Sequence, residues 1–199
     1  MPCIPCIVAL RRHPETDSKA VENIEARVAW REDGALALIY HLKGDLKRLR
    51  IPSPRPPCRG NRLWEHTCFE AFVSVKGTPA YREFNFAPSR EWASYAFRRY
   101  REEAPAEDDE LVPAIIADST CNGFQLDAAI RVDRFLARDP RVPLRLGLSA
   151  VVEDKHGRLG YWALRHPPGK PDFHNAEAFA LELGWPDPDA GHQPTVGKR

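Results

Sequence analysis

Methionine occurs once, at position 1, and no apolar stretch approaches the length needed to cross a bilayer. A spanning helix needs about 18 or more consecutive apolar residues, so none is expected. A dominant charge is also lacking. The formal net charge is +1, and no global field draws the chain to nucleic acid or a membrane surface. The N-terminal apolar run is short and broken by Pro2 and Pro5. No basic region precedes it, and Arg11 and Arg12 close it, which is not the build of a signal peptide. The expectation is a cytoplasmic chain. The five cysteines fit that compartment, being odd in number in a chain too long for a small disulfide scaffold. Glycine-rich phosphate loops, a G-x-S-x-G elbow and an H-E-x-x-H helix are absent as well.

Proline is plentiful, at 19 of 199 residues. It is excluded from helix interiors and at home in turns and sheet edges. The hydrophobic pattern agrees. Ile24, Ala26, Val28 and Trp30 alternate with polar neighbours; Asp33-Gly34 follows, then Leu36, Leu38 and Tyr40. Asp-Gly between two alternating runs predicts a hairpin. The same period of two recurs over Phe69–Val75, Phe84–Phe86, Phe124–Val132 and Leu144–Val152, and Trp92–Tyr100 is a further aromatic-rich run. His156-Gly157 turns into Leu159–Leu164, and Phe179, Leu181 and Leu183 predict a last strand. Only Asp17–Asn23 and Val132–Ala137 leave room for short helical turns. Nine or ten short strands predict one all-β domain over residues 1–184, an antiparallel sandwich of immunoglobulin-like or jelly-roll type. Residues 185–199 read as a flexible tail.

Alternation also predicts a second face. If Phe69, Phe84, Leu126 and Leu146 point inward, then Glu70, Phe72, Glu83, Asn85, Asp127, Arg131, Arg145, Ser149 and Arg165 point the other way. Trp64, Trp92, Tyr95 and Trp162 edge that surface. Flat rings suit a sugar face, and carboxylate, amide and guanidinium groups suit hydroxyl pairs. The competing reading is a solvated face of cross-strand ion pairs. A further group, Glu65, His66, Arg165, His166, Asp172 and His174, offers anion binding or acid/base chemistry if it gathers at one end of the sandwich. Otherwise Pro167-Pro168-Gly169 is a rigid turn capped by His166 and His174. Cys3-Ile4-Pro5-Cys6 precedes a strand rather than a helix, and no second close pair completes a zinc set.

Three blocks carry a family resemblance: Leu63-Trp64-Glu65-His66-Thr67-Cys68-Phe69-Glu70-Ala71-Phe72; Tyr81-Arg82-Glu83-Phe84-Asn85-Phe86-Ala87-Pro88-Ser89 with Glu91–Tyr95; and Tyr161-Trp162-Ala163-Leu164 through His174. Together they resemble bacterial DOMON-like domain proteins, similar in turn to family-9 carbohydrate-binding modules, over nearly the whole chain. The resemblance implies a β-sandwich that binds sugar or haem. Met/His ligation of haem iron is closed to a chain whose one methionine is Met1, and nothing in the spacing of His66, His166 and His174 demands a bis-His pair, so no cofactor is expected. The expected function is a non-catalytic module for a small polar ligand, a sugar or polyol first. Trp64, Trp92 and Trp162 would stack, and Glu70, Glu83, Asn85 and Arg165 would hydrogen-bond, with His166 and His174 nearby. The alternatives are an enzyme or a metal or anion site built on His66, His166, Asp172 and His174, and a protein-interaction module. Homo-oligomerisation is left open.

Overall fold

A computed structural model describes residues 5–17, 19–105, 112–132, 136, 139 and 141–186. Thirteen strands follow in chain order: β1 Cys6–Arg12, β2 Val21–Trp30, β3 Leu36–Gly44, β4 Cys58–Arg59, β5 Cys68–Val75, β6 Tyr81–Phe86, β7 Glu91–Arg99, β8 Glu102–Ala104, β9 Ala114–Thr120, β10 Gly123–Ile130, β11 Leu144–Glu153, β12 Leu159–Ala163 and β13 Leu181–Leu183. They form two layers. The first runs β1-β2-β3-β10-β9, and the second β12-β11-β5-β6-β7-β4. Strand β1 joins them, with Cys6–Leu10 paired to β2 and Arg11–Arg12 to β12. The whole is therefore a curled sheet, antiparallel except where β4 meets β7.

The alternating residues do what their period requires. Ile24, Val28, Leu36, Leu38, Tyr40, Phe124 and Leu126 from the first layer meet Phe69, Phe84, Phe86, Leu146 and Leu148 from the second, all fully buried. Burying one such side chain stabilises by about 1.5–3 kcal/mol. Rings lock the layers together, with Phe69 5.2 Å from Tyr40 and 6.0 Å from Phe124 between centroids. The Tyr40 hydroxyl donates across the layers to the Glu70 carbonyl at 2.8 Å. The Asp33-Gly34 hairpin forms as expected, with Gly34 at φ +80°, where a side chain is strained.

Three local expectations change. Val21–Asn23 opens β2 through a bulge rather than a helical turn, because Val21 buries its side chain in the core. Phe179 is not in the last strand. It follows a 3-10 turn, Ala176–Ala178, and turns its ring onto the outer face of the second layer. Trp185, read as the first residue of a tail, stacks on Trp30 at 5.5 Å and donates to the Val142 carbonyl. Residues 187–199, most of 133–137 and Cys3 of the C-x-x-C pair lie outside the described residues. The cysteines Cys6, Cys58, Cys68 and Cys121 are free thiols.

The feature that makes a site is the connection from β12 to β13. β12 pairs with Ser149–Glu153 of β11, and β13 with Leu144–Leu146 on the same side. The intervening chain, 164–180, loops over the outer face of the second layer. Phe179 lies flat on β11, where a Cβ on Gly147 would come within 2.7 Å of its ring. Glycine at 147 is what lets the cover close.

Candidate functional site

Under this cover lies a cavity of about 650 Å³. Its floor comes from β5 and β6, where Glu70 faces Asn85 and Phe72 faces Glu83 across the ladder. Tyr95 and Phe97 of β7 form one wall. Val151, Leu159 and Tyr161 form another, and Pro171, Phe173 and His174 of the loop form the roof. Trp64, in the 3-10 turn Leu63–Glu65, stands at the mouth, 39% exposed and edge-on to Tyr95 at 5.6 Å. Arg101, in the cavity lining, holds the left-handed backbone at φ 53°, as do Arg62 before the Trp64 turn at φ 54° and Arg90, away from this cavity, at φ 71°.

The floor is polar and buried. Glu70 is 2% exposed, Glu83 5% and Asn85 fully buried. Glu70 accepts from the Ser149 hydroxyl at 3.1 Å, and Glu83 accepts from the Asn85 amide at 2.8 Å. Burial, and then the Glu83 charge, push the Glu70 carboxyl well above its ordinary range. Burial raises Glu83 to about 7. His174 is boxed by Phe72, Phe97 and Tyr81, with centroids 5.0–5.9 Å away. Desolvation and the nearby Arg101 lower it to about 4, so the imidazole is neutral at pH 7. Its Nδ1 bonds the Tyr81 hydroxyl at 2.8 Å, and the 3.6 Å approach of its Nε2 to Glu83 is then no ion pair. Arg101 is tied to Asp172 at 2.9 Å. Asp172 also accepts from the Tyr100 hydroxyl and the His174 backbone.

Of the expected residues, the fold brings together Glu70, Glu83, Asn85, His174 and Trp64. It does not bring Trp92 or Trp162. Trp92 pairs with Phe86 and is 4% exposed; Trp162 pairs with Ala150 and is 5% exposed. Both belong to the core between the layers. The reason is parity. Positions 92 and 95 are an odd number apart and cannot share a face, so Tyr95 takes the cavity side and Trp92 the core. By the same rule Tyr161, not Trp162, faces the cavity. Arg165 is exposed and is not a cavity residue. Asp127 sits on β10, in the other layer, away from this face.

The six-residue charged group does not gather. His66 bonds Glu153 at 2.8 Å beside Arg50, in a separate cavity of about 330 Å³. His166 bonds the Arg11 carbonyl at 2.8 Å and packs edge-on to His13. Asp172 and His174 meet, and Glu65 lines the same cavity as His174; His13, not His166 or His174, bonds the Gly169 carbonyl of the proline turn. Among the described residues no group of three metal-ligating side chains forms. Sequence reasoning missed Tyr161, Phe97, Arg101 and Phe173. The parity of β7 and β12 would have found Phe97 and Tyr161.

No family model matches the chain, and no curated protein matches it. Solved structures do. A proposed carbohydrate-binding protein from Bacteroides uniformis shares 16% identity at a TM-score of 0.66, over 87% of this chain and 84% of that one. A family-9 carbohydrate-binding module from Caldicellulosiruptor kristjanssonii, in complex with cellotriose, matches at 0.58 with 12% identity, over 94% and 88% of the two chains. The same organism's module with glucose matches at 0.52 with 12% identity, over 84% and 76%. Likeness at these identities is one of fold. The chain has the β-sandwich-like fold that carbohydrate-binding proteins use. More particularly, it resembles the family-9 modules.

Proposed function

We propose that this chain is a non-catalytic, DOMON-like module that binds a carbohydrate or related polyol in the covered cavity. One observation carries the reading: an apolar, ring-walled cavity with a few convergent polar groups at its floor. Small-ligand sites are built this way. Trp64 and Tyr161 offer plates at or near the mouth, while Glu70 and Glu83, the latter held by Asn85, offer acceptors and, where a carboxyl stays protonated, a donor. The sugar complexes of similar folds add support by likeness.

Calorimetry and thermal shift with glucose, cellotriose and other mono- and oligosaccharides test this reading. A ligand that binds the folded state raises the melting temperature. The expected result is a hit that Trp64→Ala abolishes without lowering stability. Silence with every sugar at millimolar concentration overturns the proposal.

A further inference from the structure

The floor holds an unbalanced set of hydrogen-bonding groups. Glu70 and Glu83 face the same cavity, and neither pairs with a lysine or arginine among the described residues. The guanidinium that lines the cavity, Arg101, is committed to Asp172 and Tyr100. His174 is neutral at pH 7 and lends its Nδ1 to Tyr81. Asn85 gives its amide N–H to Glu83, and its Oδ1, fully buried, has no donor at all. Glu65 and Glu103 add carboxylates near the mouth, Glu65 paired with Arg62. With both carboxyls ionised, the acceptors here outnumber the donors. The surrounding walls are rings: Phe72, Tyr95, Phe97, Tyr161 and Phe173.

A hydroxyl brings one donor and two acceptor lone pairs, so it uses only part of this excess of acceptors. An ammonium brings three donors, no acceptor and a positive charge. An ammonium favours the ionised form of the two carboxyls that line the cavity, Glu70 and Glu83, whose oxygens then accept its N–H groups, and ring faces favour a cation. We propose that the cavity selects a hydroxylated ligand bearing a protonated amine, of the amino-sugar class, with the ammonium seated on Glu70 and Glu83, and Asn85 beneath them. This rests on the sugar-site reading above and narrows it.

Calorimetry with three matched trimers tests the inference: cellotriose, its 2-amino counterpart (fully deacetylated chitotriose) and N-acetylated chitotriose. The amino trimer should bind at least about tenfold tighter than either neutral trimer, a difference of about 1.4 kcal/mol. In Glu70→Gln or Glu83→Gln, with the fold checked by circular dichroism, that preference should fall toward unity. Glu83→Gln keeps the shape and an acceptor for Asn85, so it serves if Glu70→Gln does not fold. Cellotriose binding with no amine preference overturns the inference and leaves the sugar site standing. So does an N-acetyl trimer as tight as the amino trimer, or a preference that both variants retain. If none of the three binds at millimolar concentration, the inference falls, and with it the sugar reading for these ligands.

Discussion

Replacing Glu83 by Gln should stabilise the protein, and only at higher pH. The carboxyl is buried between β5 and the loop, and burial moves its pKa from an ordinary 4.5 to about 7. In the unfolded chain it ionises near its ordinary value. Below about pH 4.5 both states hold the proton and the group costs nothing. Between about 4.5 and 7 the unfolded state releases the proton first, and folding stability falls as pH rises. Above about 7 the folded state carries a dehydrated charge in full. At about 1.4 kcal/mol per pKa unit, the full penalty is about 3 kcal/mol. Gln has the same shape and can still accept from the Asn85 amide, now 2.8 Å from Glu83 Oε1. It also removes the charge that helps push Glu70 up. Urea unfolding of the two proteins should therefore diverge by about 3 kcal/mol at pH 8 and by less than about 1 kcal/mol at pH 5. For a domain of this size, the pH 8 gain corresponds to about 6–12 °C in melting temperature. A gain independent of pH, or a loss at pH 8, refutes the picture of an uncompensated buried carboxylate.

Trp64 and Trp92 make a contrasting pair. Trp92→Ala should cost about 3–5 kcal/mol of stability by leaving a hole between the layers, whereas Trp64→Ala should leave urea midpoints near wild type and remove sugar binding. Gly147→Ala puts a methyl into the Phe179 ring, 2.7 Å from the nearest carbon; melting should show a loss of about 1–3 kcal/mol, together with weaker ligand binding as the cover lifts. His174 acts on the acid side. Its pKa is depressed from 6.5 to about 4, so its contribution is whole above pH 6.5 and is lost as pH falls toward 4. His174→Phe should flatten that limb of the stability–pH curve, and an unchanged limb would show that another group controls it.

Much of the fold was legible because period two is a local signal. The Asp33-Gly34 and His156-Gly157 turns and the alternating runs of β2, β3, β5, β10 and β11 each carry their own evidence. The outer-face residues Glu70, Phe72, Glu83, Asn85 and Ser149 followed from the same period, and the structure gathers them. Errors arose where the period was not applied strictly. Taking Trp92 together with Tyr95, and Trp162 in place of Tyr161, ignored that a one-residue step reverses the face. Strand β9 was missed because among the described residues it pairs only with β10, at the sheet edge, and leaves Ile116 exposed, so half of its pattern has no packing reason behind it.

The cover was illegible for a different reason. Residues 164–180 have no repeat, four prolines or glycines, and contacts that depend on strands far away in sequence. Nothing local says that Phe179 leaves the strand register, yet that one ring, with Phe173 and His174, decides the chemistry of the floor. On an open face Glu70 and Glu83 would be solvated carboxylates among ion pairs. Under the cover they lose water without gaining a cation, and that turns a polar sheet surface into a site that favours a ligand able to supply what is missing. The one trace in the strands is Gly147, a small residue in mid-β11 amid large neighbours. A glycine inside an alternating strand marks close approach by another group, and here that group is the edge of the roof.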